Sequence, residues 1–335
     1  FEDAVLIGGP PCQAYSLVGR ARSRGKADYI PEKDERHFLF REYIRVLDRL
    51  RPAVFVMENV KGMLSSSVDS RMVFEMLMED LSSLGGKSGH LYEMLAISLD
   101  DGYVSLREPT TASDFIVRAE NFGVPQRRHR VIIVGIRSDL ARRFSGAEIQ
   151  SAAGSPSLED AIGRMPKLRS GLSKTNDSAA AWVETVADAA ARISRAFQRK
   201  GESKMESHLL KVSRRIRATG PLSRSSLDLP ENYGKHNSDL MNWIERPSLR
   251  AISLHETRGH MGADLSRYLF ATIFAKENKR SPKAVDFPSI LIPDHKNWHT
   301  GIFADRFRVQ VSHLPSTTVT SHISKDGHYF IHPDP

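Results

Sequence analysis

Short apolar runs recur along the first 137 residues, and each run predicts a β-strand. The runs at residues 4–9 and 53–57 are continuous, which is typical of strands buried on both faces. Three later runs predict further strands at residues 92–99, 115–119 and 131–136. A polar insertion, residues 100–114, separates the first two of these, and we expect it to be a long loop.

Two helices are predicted between these strands. Over residues 35–50, apolar side chains recur at the spacing of one helix face, at Phe40, Tyr43, Ile44 and Leu47. Over residues 68–84 the same spacing recurs at Val73, Leu77, Leu81 and Leu84, and Gly85-Gly86 supplies a stop. Alternating strands and helices predict an α/β layer with a mainly parallel sheet. Ligands bind such sheets at the carboxyl ends of the strands.

The pattern changes after about residue 140. Residues 145–235 are rich in Ser, Ala, Arg and Lys, with a predicted helix over residues 179–199 and a basic cluster at Lys211, Arg214, Arg215 and Arg217. Residues 238–278 read as mostly helical, and residues 306–331 alternate as strands do. We therefore expect an irregular α+β region in the second half of the chain.

Composition narrows the class of protein. The 335 residues carry 40% hydrophobic residues, 26% charged residues and a formal net charge of +8. No apolar run is long enough to span a bilayer, and a single cysteine can form neither an internal disulfide nor a zinc site built on cysteines. We expect a cytoplasmic monomer without a membrane contact or a bound metal. The charge suits a nucleic acid partner, although charge alone leaves an ordinary basic protein equally open.

The lone cysteine, Cys12, follows Gly8-Gly9-Pro10-Pro11 at the end of the first predicted strand. Paired glycines and prolines predict a stiff, extended turn that presents Cys12 at a ligand-binding edge, where its thiolate could act as a nucleophile. A lone cysteine is otherwise most often a buried structural residue. The context of Cys12 favours the catalytic interpretation.

Three segments together resemble the DNA cytosine-5 methyltransferase family. They are Pro-Pro-Cys-Gln-Ala-Tyr-Ser at residues 10–16, Glu-Asn-Val at residues 58–60 and Gln-Arg-Arg-His-Arg at residues 126–130. They occur in the family's order and cover residues 1–137, while residues 303–333 resemble the family's return to its catalytic domain much less specifically. The resemblance implies an S-adenosylmethionine-dependent, Rossmann-like methyltransferase fold.

The resemblance also implies roles for residues. Cys12 adds to carbon 6 of cytosine, Glu58 hydrogen-bonds ring N3 and the exocyclic amine, and Arg130 stabilises charge at O2. Arg128 braces the loop or a phosphate, and Asn59 orients the Cys12 loop. Without Cys12 and Glu58, the arginine run would read as a solvated basic turn.

The remaining matches concern substrate and methyl donor. Gln13, Ser16 and Arg36 match positions that contact the DNA backbone or the space near a base flipped out of double-stranded DNA. Ser16 and Arg36 could also be a plain loop hydroxyl and a helix-start charge. Pro11 and Leu39 match the pocket for S-adenosylmethionine, although Leu39 could equally be helix core.

Several family features are missing from these 335 residues, among them the Phe-x-Gly-x-Gly turn and the acidic residue that hold the methyl donor. We expect a fragment cut at both ends that binds the donor weakly, and is inactive, by itself. By position, residues 1–140 are a partial catalytic domain, residues 141–305 a target-recognition region and residues 306–335 the return strands.

Other functions stay open at this point. The resemblance fits a bacterial restriction–modification or orphan DNA enzyme, and alternatively a tRNA cytosine-5 methyltransferase of the same family or a non-catalytic DNA-binding relative. The long recognition region argues against the tRNA enzyme, and intact Cys12, Glu58 and Arg130 argue against the non-catalytic relative. His255, Glu256 and His260 match no standard metal-binding spacing.

Overall fold

The fold is seen in a computed structural model. The structure describes residues 3–11, 39–68, 70–86, 89–141, 149–150, 154–235, 238–295, 298, 306–319 and 327–334. The chain divides into two compact units. Unit 1 comprises residues 1–123 and 127–154, and unit 2 comprises residues 124–126 and 155–335. Among the described residues, no helix has both the length and the apolar character needed to cross a membrane.

Unit 1 is built on a mixed sheet with helices. Its strands are β1 (Val5–Gly8), β2 (Val54–Val60), β3 (Ser67–Val68), β4 (Arg71–Met72), β5 (Tyr92–Asp100), β6 (Tyr103–Arg107), β7 (Ile116–Arg118), β9 (His129–Arg137) and β10 (Ile149–Gln150). A two-residue strand at the junction of the units is β8 (Gln126–Arg127). The α-helices are α1 (Phe40–Leu50), α2 (Val73–Ser82) and α3 (Ser138–Ala141), and 3₁₀ turns cover Lys61–Ser65, Ala112–Phe115 and Ala119–Phe122.

The main sheet has the strand order β1-β2-β9-β5-β6-β10, and β7 also pairs with β9. The α/β class and the parallel pairing of β1 with β2 agree with the prediction from the sequence. The expectation of a mainly parallel sheet does not hold for the described strands, because β2–β9, β5–β9, β7–β9, β5–β6 and β6–β10 are all antiparallel.

A short connection explains one of these antiparallel pairs, β5–β6. Parallel neighbours need a long crossover, whereas a tight turn can only join antiparallel strands. Asp101 and Gly102 form such a turn between β5 and β6, with φ angles of 48° and 83°. Two successive positive φ angles define the type I′ hairpin that Asp-Gly favours. The polar insertion expected as one loop, residues 100–114, therefore contains strand β6.

Helix α1 buries the face that the spacing predicts. Phe40, Ile44 and Leu47 are buried, and Tyr43 is partly buried against the same core. The helix ends at Arg51, whose φ of 44° is left-handed and whose N–H donates to the Leu47 carbonyl. Pro52 follows, so the chain leaves the helix directly into β2.

Helix α2 is shorter than predicted at its start. Its buried residues Val73, Leu77 and Leu81, and Leu84 beyond its end, match the predicted face. Ser67–Val68 and Arg71–Met72 instead pair as the antiparallel strands β3 and β4, with Ser70 at a φ of 64° before β4. A turn of this kind cannot be continued as an α-helix.

Unit 2 is mostly helical. Its helices are α4 (Leu158–Ile162), α5 (Ala179–Gln198), α6 (Ser203–Ala218), α7 (Asp239–Ile244) and α8 (Gly262–Asn278). Its short strands are β11 (Gly171–Leu172), β12 (Gly259–His260) and β13 (Ser316–Thr317), and 3₁₀ turns cover Ala284–Asp286, Ser289–Leu291 and Gly327–Tyr329. The helix predicted over residues 179–199 is confirmed as α5, with Ser178 as its N-cap accepting the Ala181 N–H.

The core of unit 2 lies where α5, α6 and α8 pack together. Phe197 of α5 stacks on Phe270 of α8, with ring centroids 5.9 Å apart. Phe270 also contacts Phe287, which packs edge-on against Trp298. This aromatic cluster makes unit 2 a body with a core of its own.

Two expectations for unit 2 differ from the structure. Residues 245–258 interrupt the predicted helical stretch 238–278, because their backbone pairs with residues 224–227; Thr257 N–H, for example, donates to the Arg224 carbonyl. Over residues 306–331, the described parts hold one short strand, β13, and a single parallel bridge between Val309 and Ile331 rather than several strands. Within such stretches the apolar runs are short, and the periodicity of a short run does not distinguish a helix from a strand.

Candidate active site

Glu58 and Arg130 lie on neighbouring strands and point to one face of the sheet. In the antiparallel register of β2 and β9, Glu58 faces Ile132 and Val60 faces Arg130. Residues two positions apart share a face of a strand, so Glu58 and Arg130 are diagonal neighbours on that face. The strand pairing itself therefore brings together two of the residues that the motifs singled out, although they are 72 positions apart.

The two side chains form a direct ion pair. Arg130 Nε lies 2.7 Å from Glu58 Oε1, and Arg130 Nη1 donates to the backbone carbonyl of His129 at 2.8 Å. The Arg130 side chain is 18% exposed and the Glu58 side chain 44% exposed. A covered guanidinium thus supports a carboxylate that a ligand can reach. Such a pair can place two hydrogen-bonding groups of opposite charge against one planar ligand.

Arg130 is held in the middle of the sheet. Its backbone lies between Val60 of β2 on one side and Val117 of β7 on the other. A strand with partners on both edges has little freedom to move, so the position of Arg130 is set by the sheet and not by a loop.

Asn59 points to the opposite face, into the core. It is 2% exposed, and its Nδ2 donates to the Pro10 carbonyl at 3.3 Å. Its Oδ1 accepts the Val60 N–H at 2.9 Å. A buried amide that uses both its donor and its acceptor fixes the chain after β1 to the end of β2. Pro10 precedes Cys12 by two residues in the sequence.

The turn after β1 approaches its neighbours closely at two glycines. A Cβ at Gly9 would lie 3.1 Å from Glu58 Oε2, and a Cβ at Gly8 would lie 2.5 Å from Tyr43 Cε2. The Tyr43 hydroxyl donates to the Val56 carbonyl at 3.2 Å. Burial, reinforced by nearby Tyr92, raises the pKa of Tyr43, so this phenol keeps its proton for that bond. Glycine at position 9 leaves space beside the Glu58 carboxylate.

Three further predicted site residues, Pro11, Leu39 and Arg128, lie in the described part of the chain. Pro11 is exposed after β1, and Leu39 is partly buried at the N-cap of α1. Arg128 is exposed, and its backbone carbonyl accepts the Ala119 N–H at 3.2 Å. Cys12, Gln13, Ser16 and Arg36 lie outside the described residues.

One polar pair beside the site was not predicted. His129 Nε2 lies 2.7 Å from Glu120 Oε1, and the Glu120 side chain is largely buried. His129 precedes Arg130 on β9, and alternation places it on the other face of the sheet. The histidine within the arginine-rich motif was the only sign of this pair in the sequence. Its partner, Glu120, lies in a 3₁₀ turn, which hydrophobic periodicity does not predict.

The basic cluster of the second half lies on helix α6 of unit 2. Arg215 is 3.6 Å from Asp334, and Arg217 is 3.4 Å from Asp188. Half of this cluster is therefore balanced by carboxylates of the same unit. His255 and His260 do not converge on one point, since His255 Nε2 contacts the Pro166 carbonyl at 2.8 Å and the His260 ring packs edge-on against Tyr268.

Comparisons with known proteins agree with the motifs. A type II methyltransferase of Bacillus paralicheniformis is 28% identical over 334 residues, 98% of this chain and 58% of that protein. The DNA-cytosine methyltransferase of Escherichia coli is 36% identical over 141 residues, 42% of this chain and 26% of that protein. A type II methyltransferase of a Picosynechococcus species is 35% identical over 144 residues, 43% of this chain and 48% of that protein.

The chain thus spans between about a quarter and somewhat over half of the length of these relatives. The family described as C-5 cytosine-specific DNA methylase matches residues 2–285, which is most of the sequence. The match includes Glu58, Asn59, Arg128 and Arg130 together with the segment around Cys12. The chain belongs to the C-5 cytosine-specific DNA methylase family.

Proposed function

We propose that this chain is part of an enzyme that methylates carbon 5 of cytosine in duplex DNA. One observation carries the proposal: the Glu58–Arg130 ion pair, formed where β2 ends and β9 begins, on a chain that belongs to the cytosine methylase family. Two groups of opposite charge on one face suit the ring edge of a cytosine, which offers both hydrogen-bond acceptors and an amine donor.

Each residue has a role that follows from its chemistry. The Cys12 thiolate adds to carbon 6, and the electron pair of the 5,6 double bond moves into the ring. Glu58 shares a proton with N3 and accepts from the exocyclic amine, while Arg130 donates to O2, where negative charge develops. Carbon 5 thereby becomes nucleophilic. Methyl transfer to carbon 5 would break the sulfonium–methyl bond and leave the donor as a neutral thioether. Loss of the carbon 5 proton to a base, with expulsion of the Cys12 thiolate, would then restore the aromatic ring.

The methyl donor of this proposal is S-adenosylmethionine, which supplies an electrophilic methyl group when it is bound. Among the described residues, the apolar side chains of Pro11 and Leu39 suit its pocket, Pro11 being exposed after β1 and Leu39 partly buried at the start of α1. These two contacts are a small part of the surface that a ligand of this size needs.

Asn59 acts as a positioning residue. Its bond to the Pro10 carbonyl ties the turn that leads to Cys12 to the strand that carries Glu58. Arg128, exposed beside β9, can bind a DNA phosphate or brace a neighbouring loop. Cytosine is stacked in the duplex, so the proposal requires that the base be turned out of the helix. We assign recognition of the surrounding DNA to residues 141–305, and Gln13, Ser16 and Arg36 to contacts near the target base.

A covalent trap tests the proposal. The full-length protein is incubated with S-adenosylmethionine and a duplex containing 5-fluorocytosine, whose fluorine blocks the final release of the enzyme. We expect an adduct that resists denaturation, is lost in Cys12→Ser and is retained in Ser138→Ala, a control at the start of α3, directly after β9.

The alternatives give different results in the same assay. An adduct with tRNA but none with DNA would identify a tRNA cytosine-5 methyltransferase. Salt-sensitive binding to duplex DNA without any adduct or methyl transfer would identify a non-catalytic relative. Either result overturns the proposal.

A further inference from the structure

A groove of about 700 Å³ lies within unit 2, between α5, the first turns of α8 and the 3₁₀ turn Ser289–Leu291. Its charged lining residues are Asp188, Arg192 and Arg195 of α5 and Arg267 of α8. The three residues of α5 are spaced four and three positions apart, so they lie on one face of that helix. The opposite face of α5 is buried in the core of unit 2.

Two of these charges are balanced within the unit. Asp188 pairs with Arg217 of α6, at 3.4 Å. Arg267 pairs with Asp264 at 2.8 Å, and its Nε donates to the Leu291 carbonyl at 2.8 Å. Both members of the Arg267–Asp264 pair are largely covered. Arg267 therefore serves as part of the wall of the groove.

Arg192 and Arg195 are in a different situation. Both are exposed, and Arg192 Nη2 donates to the neutral hydroxyl of Ser266 at 3.0 Å. Among the ion pairs of the described residues, none contains Arg192 or Arg195. The groove thus has two positive charges in excess, and the bond to Ser266, another lining residue, holds one of the guanidinium groups in place.

We propose that this groove binds the phosphodiester backbone of duplex DNA, with Arg192 and Arg195 each contacting a phosphate. The proposal rests on the proposed function, and it names a contact surface of the recognition region. Guanidinium groups bind phosphate through paired, charge-assisted hydrogen bonds. A volume of about 700 Å³ is far larger than one inorganic phosphate requires, so the groove fits a run of backbone better than a free ion.

This surface differs from the basic cluster on α6 (Lys211, Arg214, Arg215 and Arg217). The basic cluster on α6 has the higher charge density in the sequence, but Arg215 and Arg217 lie against Asp334 and Asp188. Arg192 and Arg195 lie three positions apart on α5, and the packing of α5 against α8 forms the groove that both of them line.

The test is the salt dependence of DNA binding. Binding of the full-length protein to a fluorescent duplex is measured by anisotropy over a series of KCl concentrations. A plot of log K against log [salt] has a negative slope, and each lost phosphate contact makes it less steep by about 0.9. Arg192→Ala/Arg195→Ala should therefore reduce the steepness by about 1.8. Arg45→Ala/Arg49→Ala on α1 removes the same charge elsewhere and serves as the matched control.

The expected result is a large drop in slope for the groove variant, a smaller one for the control and a near-normal slope for Arg192→Lys/Arg195→Lys, which keeps the charges. Thermal denaturation checks that each variant is folded. An unchanged slope in the groove variant, or an equal loss of slope in the groove and control variants, overturns the proposal that the groove binds DNA. If the wild type still methylates DNA in that case, the proposed function is unaffected. Failure of the wild type to bind duplex DNA overturns both.

A competition arm separates a bound backbone from a free ion. Inorganic phosphate is added at constant ionic strength while binding to the duplex is followed. We expect millimolar phosphate to leave the difference between wild type and groove variant intact. Loss of that difference would show that the groove takes free phosphate, and would overturn the proposal.

Discussion

Glu58 Oε1 and Arg130 Nε lie 2.7 Å apart across two antiparallel strands, at the point where β2 ends and β9 begins. The pairing of the strands holds the guanidinium beside the carboxylate, where both groups could act in the proposed reaction. A group arranged in this way costs no reorganisation when charge develops in the reaction, which is the main source of electrostatic catalysis.

Removing either member of this pair should slow methyl transfer more than it weakens binding of DNA. We expect Glu58→Gln and Arg130→Ala each to lower the rate at saturating substrate by about 10²–10³-fold. The double variant should lose less than the product of the two, because both groups act on one ring. Incorporation of a labelled methyl group measures the rates.

Asp139→Asn is the matched control for this pair. Asp139 pairs with Arg137 at 2.7 Å at the other end of β9, so the change removes a carboxylate from an arginine on the same strand. Its rate should stay within a few-fold of the wild type. Multiplicative losses in the Glu58–Arg130 double variant would contradict a joint action.

Replacing Asn59 should cost stability as well as rate. Asn59→Leu keeps the volume but leaves the Pro10 carbonyl without its donor and the Val60 N–H without its acceptor. A buried polar group that loses its partner costs about 1–3 kcal/mol of unfolding free energy. Urea denaturation measures this loss, and the rate should fall in conditions where the variant is still folded.

The exposed Asn278, whose Nδ2 donates to the Phe274 carbonyl at 3.0 Å near the end of α8, provides the comparison. Asn278→Leu should change stability much less. An Asn59→Leu variant with normal rate and stability would show that the turn after β1 does not depend on this amide.

The packing of β9 against β2 predicts a steric effect at Gly135. A Cβ at this position would lie 2.0 Å from Cε1 of Phe55, a fully buried ring that packs edge-on against Tyr92. Gly135→Ala should therefore lower the unfolding free energy by about 1–3 kcal/mol. Adding Phe55→Leu should recover part of the loss, because the two changes are coupled through one space.

Gly220→Ala is the control for this prediction, since a Cβ at Gly220 meets no atom within 4 Å. Its effect should stay within about 0.5 kcal/mol. Simple additivity of Gly135→Ala and Phe55→Leu, measured by denaturant unfolding, would argue against the contact.

Asp114 should make stability depend on pH in the acid range. Its carboxylate accepts the N–H groups of Thr111 and Thr110 and the Thr110 hydroxyl, and these bonds lower its pKa to about 2. The pKa is lower in the folded than in the unfolded chain. The stabilisation is therefore complete above the unfolded value near 4, and it is lost as the pH falls towards 2.

Asp114→Asn should consequently be less stable than the wild type at pH 7, and the difference should shrink as the pH is lowered from 5 to 3. Unfolding in urea at each pH measures it. Asp101→Asn, in the exposed turn of the β5–β6 hairpin, is the control. A difference that stays constant with pH would show that the Asp114 carboxylate does not stabilise the turn.

The local pattern of the sequence predicted a good part of unit 1. The buried face of α1 follows from Phe40, Ile44 and Leu47. The apolar run at residues 53–57 does form β2, but β2 alternates buried and partly buried side chains and β1 exposes Val5 and Ile7, so the prediction that these strands are buried on both faces was wrong. Helical and strand periodicity record which side chains face a core, so they are visible without a structure. The same holds for α5 in unit 2.

Strand direction could not be predicted in the same way. The Asp101-Gly102 turn makes β5 and β6 antiparallel, and it is a two-residue signal inside a stretch whose polarity suggested a loop. The antiparallel pairing of β9 with β2 joins strands that are distant in the sequence. The contacts of Glu58 with Arg130, and of Asn59 with Pro10, depend on register between distant strands. The motifs select candidate site residues, and only the pairing of the strands shows which of them touch.

Strand β9 is hydrogen-bonded to other strands along both edges, and this has a consequence for protein dynamics. Its amides form ladders with β2 along one edge and with β5 and β7 along the other. Hydrogen exchange at such a strand requires cooperative opening of the surrounding sheet, so deuterium uptake around Arg130 should be among the slowest in unit 1. Adaptation of this site to different bound molecules is then left to side-chain rotation, because the backbone that carries Arg130 opens only when the unit does.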